Sequence, residues 1–107
     1  MSDRNERLAR NEAMFRSVNE RVEEIVQPGR DEEIDFLCEC GNSRCIEKVT
    51  LRRHEYEEIR SDATQFAVVP GHEIPEIEET IQQTDRFFVV RKHHHESAIA
   101  EATDPRS

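Results

Sequence analysis

The feature that most constrains this chain is a cluster of three cysteines, Cys38, Cys40 and Cys45, spaced C-x-C-x4-C within residues 36–49 (FLCECGNSRCIEKV). The chain has no further cysteine, so three thiols cannot all pair in disulfides within one molecule. Structural Zn²⁺ is bound by four ligands in a tetrahedron, and thiolate and imidazole are its usual donors. The cluster therefore predicts a zinc site with three thiolate ligands and a fourth ligand from another segment.

The fourth ligand must be a histidine, a carboxylate or water, and two histidines are the main candidates. His72 lies in a PGHE turn between a predicted buried strand and a predicted hairpin, so a rigid turn can bring it to the cysteine loop. His54 is nearer in sequence, but it lies in a segment that we predict to be the start of a solvent-facing helix. We favour His72 and keep His54 as the alternative.

The first part of the chain predicts an amphipathic helix over residues 4–26. Its apolar residues recur at helical spacing with polar residues between them. They are Leu8, Phe15, Val18, Val22 and Ile25. This narrow apolar stripe is typical of a helix that packs on one partner, either the sheet of its own domain or a second subunit.

The rest of the chain predicts two hairpins and a short helix. Apolar and polar residues alternate over 34–37 and 46–51, which indicates a hairpin with the cysteine loop at its tip. We expect a short helix over 53–60, a buried strand over 66–69, and a second hairpin from 77–81 and 87–90. The predicted fold is a small, zinc-stapled α+β domain with an N-terminal amphipathic helix and a small, mostly antiparallel sheet of two hairpins.

Length and charge limit the domain organisation and the classes of partner. With 107 residues we expect a helix and linker over 1–33, a zinc-binding α+β domain over 34–92 and a flexible polar tail over 93–107. The net charge of −9 opposes binding to phosphate backbones, so nucleic acid is not favoured as a partner. No segment has the length of apolar sequence that a membrane span or a signal peptide requires, so we expect a cytoplasmic protein with reduced thiols.

The chain also resembles a known group of proteins in the order of its motifs. FLCECG-x3-C-x3-V-x-L is followed by EYE-x-IR, by F-x-V-x-PGHE-x-PE-x-E and by FFVV-x-K. This order, over residues 10–92, resembles a group of small uncharacterised bacterial proteins, mainly actinobacterial. The resemblance implies that Cys38, Cys40, Cys45 and His72 belong to one pattern. The chain departs from the pattern of this group before the EYE helix, where it has Arg52, Arg53 and His54 and the group often has Thr or Ser. The N-terminal cap of this helix is therefore in question.

These observations favour a non-catalytic role for zinc. Three thiolates activate water less than three imidazoles do, although Glu39 and Glu73 each adjoin a proposed ligand and are conceivable general bases. We therefore expect a zinc-binding protein that acts as a protein–protein interaction or regulatory module, with a protein partner or a homodimer formed through the N-terminal helix. The alternatives are a redox-sensing zinc-thiolate switch and a small zinc enzyme.

Overall fold

The structure is a computed structural model that describes residues 3–26 and 32–106. In chain order its elements are α1 (Asp3–Ile25), β1 (Glu33–Leu37), β2 (Lys48–Arg52), α2 (Arg53–Arg60), β3 (Gln65–Val68), β4 (Glu78–Gln83), β5 (Phe88–Lys92) and α3 (His94–Ala102). Residues 30 and 31 of the charged linker predicted over residues 30–33 lie outside the described residues, and its last residue, Glu33, begins β1. The predicted boundary between an N-terminal segment over 1–33 and a zinc-binding domain that starts at residue 34 remains a prediction.

The strands form two antiparallel sheets. β1 and β2 make a hairpin in which Phe36 pairs with Val49, and β5 lies between β3 and β4 in the second sheet. Alternate residues of β1 and β2 face the core, as the sequence pattern predicts. Both predicted hairpins, the helix over 53–60 and the α+β class are confirmed. The chain beyond β1 meets the second sheet through Glu39, whose N–H donates to the carbonyl of Ala67 at 2.9 Å.

Two apolar clusters fill the interior. The first lies around the rings of Phe36 and Tyr56, which stack with 4.2 Å between their centroids. The second contains Cys38 and Cys40 together with Phe66 and other residues of β3 and β5. The cysteine loop is therefore packed against a hydrophobic core on one side, and this packing limits where its sulfur atoms can lie.

The buried face of α1 differs from the predicted apolar stripe. Val18 and Ile25 are 42% and 79% exposed, and Leu8, Phe15 and Val22 are only partly buried. The buried residues are instead two alanines and four polar residues: Ala9, Glu12, Ala13, Arg16, Asn19 and Glu23. The small alanines allow close approach to neighbouring elements, and the polar side chains find partners there, so burial on this helix does not follow hydrophobicity.

The segment predicted to be a flexible polar tail contains α3. This helix packs against α1 and β5, and Ala100 is buried in the second apolar cluster. Arg16 of α1 donates hydrogen bonds to the carbonyl of Ala100 at 2.7 Å and to that of Ala63 at 2.5 Å. The difference from the sequence-based expectation arises because a buried guanidinium needs carbonyl acceptors, and α3 supplies one of them.

A charged triad lies in the interior between α1 and the second sheet. The ammonium of Lys92 forms ion pairs with Glu12 and Glu78, and all three side chains are inaccessible to solvent. Burial is the largest cause that raises the pKa of Glu12 well above its usual value. Its Oε2 atom is buried and has no hydrogen-bond partner among the described residues.

None of the helices in the described segments combines the length and the apolar character that crossing a bilayer requires.

Candidate metal centre

The structure brings Cys38, Cys40, Cys45 and His72 together. Their ligand atoms all lie within 4.8 Å of one another, and the group could hold a metal ion. The Nδ1 atom of His72 lies 3.5 Å from Sγ of Cys38 and 3.6 Å from Sγ of Cys45. A tetrahedral zinc site with Zn–S bonds of about 2.3 Å and a Zn–N bond of about 2.0 Å has S···N edges of about 3.5 Å. The donor set and its spacing therefore fit a tetrahedral ion.

The C-x-C-x4-C spacing is explained by the path of the loop between β1 and β2. Cys38 and Cys40 follow β1 directly with one residue between them, and their sulfur atoms lie together in the donor group. The N–H of Cys45 donates to the carbonyl of Asn42 at 3.0 Å, and the N–H of Cys38 donates to the carbonyl of Glu47 at 3.1 Å. The first bond closes the turn that returns the third cysteine, and the second closes the base of the loop.

His72 is held by the turn that the Pro70-Gly71 pair predicts. The N–H of His72 donates to the carbonyl of Val69 at 2.9 Å, and Gly71 has a φ of +92°. Proline at the second position and a positive φ at the third position define a type II turn. A side chain at position 71 would be strained, so glycine maintains the conformation that aims His72 at the sulfur atoms.

Glu47 orients the imidazole of His72, and sequence reasoning missed this residue. The Nε2 atom of His72 lies 2.8 Å from Oε2 of Glu47. A proton on Nε2 that is donated to the carboxylate leaves the lone pair of Nδ1 facing the cysteines, which is the tautomer that a metal ligand needs. The only signal in the sequence was an acidic residue two positions after the third cysteine, which is too common a pattern to identify such a role.

Backbone groups and neighbouring thiols shift the acidity of the cysteines. The hydrogen bond from the Cys38 thiol is the largest cause that lowers the pKa of Cys40, to about 5, and the N–H of Asn42 acts in the same direction. The same hydrogen bond to Cys40, followed by burial, raises the pKa of Cys38. Burial is the largest cause that raises the pKa of Cys45. One thiolate is therefore favoured without a metal, and metal binding must displace the protons of the other two.

A backbone donor also contacts the first cysteine. The N–H of Val69 donates to Sγ of Cys38 at 3.2 Å. This bond joins the start of the PGHE turn to the cysteine loop and helps to satisfy a sulfur atom that is almost completely buried. Besides the four donor atoms, the site thus includes backbone hydrogen bonds that favour the thiolate form of the cysteines.

Glu39, one of the two carboxylates considered as a general base, points away from the cysteines into the interior. It is fully buried, and its oxygens accept hydrogen bonds from Asn19 at 2.8 Å, Tyr56 at 2.8 Å and the N–H of Ala67 at 3.0 Å. Burial is the largest cause that raises its pKa, and these three hydrogen bonds oppose the shift. Glu39 therefore anchors the segment that carries Cys38 and Cys40, and the donors that it accepts from are a helix side chain, a core tyrosine and a backbone N–H.

Asn19 is a second anchor of this strand. Its side-chain amide donates to the carbonyl of Leu37 at 2.9 Å, and its Oδ1 atom accepts from the N–H of Leu37 at 2.8 Å. Asn19 thus binds the backbone of the residue next to Cys38 through both of its polar groups. No helical periodicity indicates this contact, because it depends on the tertiary position of α1.

The structure places the other candidate residues elsewhere. His54 lies on α2 with an exposed side chain, and among the described residues it is not part of the donor group. Glu73 follows His72 directly but also lies outside that group. The start of α2 has no Thr or Ser cap, but the N–H of Arg52 donates to the Glu55 carboxylate at 2.7 Å, which is one of the two hydrogen bonds of a capping box.

Comparisons of the chain with protein-family models, with curated proteins and with solved structures find no match.

Proposed function

We propose that this protein is a non-catalytic zinc-binding protein in which a structural Cys3His zinc site supports a protein–protein interaction or regulatory module. The observation that carries the proposal is the convergence of Cys38, Cys40, Cys45 and the Nδ1 atom of His72 at distances that fit a tetrahedron. Four protein ligands are the mark of a structural zinc site, whereas a catalytic site keeps one position for water or substrate.

Zinc is the metal that this donor set favours. Thiolates are soft ligands, and a tetrahedral set of sulfur and imidazole donors is typical of Zn²⁺. Three thiolates, a neutral imidazole and Zn²⁺ carry a total charge of −1, and N–H donors such as that of Val69 stabilise this charge. We expect a reducing compartment such as the cytoplasm, where the thiols remain available for the metal.

The structural role follows from the segments that the ligands join. Two ligands lie at the end of β1, one in the returning loop, and one in the turn between β3 and β4. Zinc would cross-link the first hairpin to the second sheet, and binding energies on the order of 10 kcal/mol are typical of small zinc domains. The loop between β1 and β2 has little regular structure of its own, so its conformation would depend on the ion.

The test of the structural role is the thermal stability of the zinc-loaded protein with Cys40→Ser. We expect a large fall in melting temperature, because one ligand of the cross-link is lost. The matched control is Ser43→Ala, an exposed position in the same loop, which should leave the melting temperature nearly unchanged. An unchanged melting curve for Cys40→Ser would contradict the structural role.

X-ray absorption spectroscopy separates a structural site from a catalytic one. We expect three sulfur ligands at about 2.3 Å and one nitrogen ligand at about 2.0 Å. An oxygen ligand in place of the nitrogen would favour a small zinc enzyme with water as the fourth ligand.

The outer face of α1 supports the proposal of a protein partner or a homodimer. Met14, Val18 and Ile25 are among the exposed large apolar side chains, and they lie on this helix. Sedimentation velocity over a range of protein concentrations tests the homodimer, with Val18→Glu as the variant. A dimer that Val18→Glu dissociates would support this surface, and a wild-type monomer at all concentrations would rule out the homodimer.

A redox-sensing switch is the second candidate, because the site is open on one side. A cavity of about 240 Å³ is lined by Cys40, Asn42, His72 and Ile74, and Cys45 is partly exposed. Hydrogen peroxide would accept two electrons from two thiolates, which form a disulfide while peroxide and two protons become two water molecules, and zinc would leave. Retention of zinc by the purified protein in peroxide would exclude this switch.

A further inference from the structure

We propose that a groove between the first turns of α1 and the cysteine loop binds a short peptide segment of a protein partner in which acidic and apolar residues are adjacent. The proposal rests on the proposed function, since it assigns a partner class to the interaction module. The groove has a volume of about 740 Å³. This volume is within the range of sites that enclose small ligands or part of a peptide.

Three arginines line one side of the groove. Arg4, Arg7 and Arg10 recur every three residues on α1, so their side chains lie along one region of the helix surface. Leu8 and Ile74 contribute apolar surface to the same groove. Guanidinium groups bind carboxylates through paired hydrogen bonds, and the apolar residues provide a place for a hydrophobic side chain. The groove therefore fits a peptide in which an acidic residue adjoins an apolar one.

The arginines are available to a ligand. Arg4 pairs with Glu76 and Arg10 pairs with Glu6, but both ion pairs are exposed and such pairs contribute little to stability. A ligand carboxylate can therefore replace either partner at little free-energy cost. Arg7 has no acidic partner in the segments 3–26 and 32–106, so it is the strongest candidate for direct contact with a carboxylate.

The opposite side of the groove belongs to the candidate metal centre. Asn42 and Ser43 line it, and both lie between Cys40 and Cys45. The amide of Asn11 donates to the carbonyl of Gly41 at 2.9 Å, which fastens this loop to α1. A Cβ atom on Gly41 would come within 2.9 Å of the Leu8 side chain, so glycine permits the close approach that forms the groove. Because zinc would fix the far end of this loop, zinc should strengthen peptide binding, while the contacts of Asn11 and Leu8 with Gly41 hold the groove itself.

The charge of the whole chain favours a short acidic peptide over nucleic acid. The net charge of −9 repels an extended polyanion, whereas a short segment contacts only the local arginines. The local attraction acts over roughly 10 Å at moderate salt, so it is limited to residues in or beside the groove. Nucleic acid binding is accordingly an outcome that would overturn the proposal.

The test is the selection of random peptides displayed on phage against the immobilised zinc-loaded protein, followed by affinity measurement. The enriched peptides are synthesised, and their dissociation constants are measured by fluorescence anisotropy for the wild type and for Arg7→Glu. The matched control is Arg21→Glu, which makes the same charge change at an exposed arginine farther along α1. We expect acidic-apolar peptides, a loss of affinity of about tenfold or more with Arg7→Glu, and a loss of about twofold or less with Arg21→Glu.

Several results would overturn the proposal. They are the absence of enriched peptides, enrichment of basic peptides, equal effects of the two substitutions, or tighter binding of a single-stranded oligonucleotide than of any selected peptide. The zinc content of each sample is measured in parallel. A zinc-loaded, stable protein without peptide binding refutes the groove and leaves the structural zinc intact. A protein that contains no zinc but binds acidic peptides through Arg7 refutes the zinc site and leaves the groove.

Discussion

Asn19→Asp is the substitution that tests most sharply how α1 positions the cysteine strand. The side chain keeps its size, and one oxygen can still accept from the N–H of Leu37. The amide donor disappears, so the partly buried carbonyl of Leu37 and the buried Glu39 carboxylate each lose a hydrogen bond. The new carboxylate also faces Glu39, which is a repulsive arrangement in a site without solvent.

The expected loss of stability follows from these contacts. An unsatisfied buried carbonyl costs about 1–3 kcal/mol, and a lost hydrogen bond to a charged group costs about 1.5–3 kcal/mol. The sum is about 2.5–6 kcal/mol before repulsion, which is a large part of the 5–15 kcal/mol that is typical of a folded domain. For a domain near 100 residues, each lost kcal/mol lowers the melting temperature by roughly 4–8 °C.

The assay is urea unfolding of the zinc-loaded protein at neutral pH. Ser17→Ala, an exposed position on the same helix, is the control and should change the free energy of unfolding by less than about 0.5 kcal/mol. If Asn19→Asp is as stable as Ser17→Ala, the buried hydrogen bonds of Asn19 do not hold the segment that carries Cys38 and Cys40.

The remaining predictions concern the buried charges and the orientation of the metal ligand. Lys92→Met should lower the free energy of unfolding by about 3–5 kcal/mol, because it leaves buried carboxylates without a cation; near-normal stability in urea would contradict this. Burial raises the pKa of Glu12, so its contribution to stability is complete below its unfolded pKa and is lost as pH rises through the folded value. The free energy of unfolding of Glu12→Gln should therefore rise relative to that of the wild type as the pH increases above the unfolded pKa of Glu12, and a constant difference would contradict the raised pKa. Glu47→Gln should weaken zinc binding by about 10–100-fold in competition with a chelator, because the imidazole of His72 loses its orienting carboxylate. The control Glu79→Gln, on β4, should leave the zinc affinity unchanged. Equal zinc affinities of the two variants would refute the role of Glu47.

The parts of the structure that could be predicted are those set by local chemistry. The alternation of Ile34 and Phe36 predicts β1, and the Pro70-Gly71 pair predicts the turn that carries His72. The donor atoms of the four predicted ligands lie together in the structure, because a turn and a strand end each direct short side chains to one point. The cysteine loop and the turn each depend on few residues that are near one another in the chain, whereas the contact of His72 with Cys38 and Cys45 joins distant segments and was inferred from the ligands that zinc requires.

The parts that could not be predicted depend on contacts between distant segments. The burial of Arg16 depends on carbonyl groups of Ala63 and Ala100, which are far away in sequence. The exposure of Ile25 and the position of Asn19 likewise follow from how α1 lies against β1 and α3. A hydrophobic pattern on one helix contains no information about such partners, so the predicted stripe is only partly buried: Val22 packs against the first apolar cluster, whereas Val18 and Ile25 are exposed.

Elemental analysis of untagged, reduced protein gives the number of zinc ions per chain for the wild type and for His72→Ala, and this is the most direct test of the Cys3His site. We expect one zinc per wild-type chain and loss or weakening of zinc binding in His72→Ala, because the Nδ1 atom of His72 lies 3.5 Å and 3.6 Å from two of the three sulfur atoms. A reduced wild-type protein that binds no zinc would show that the cluster is not a zinc site and would leave three free thiols as its chemistry.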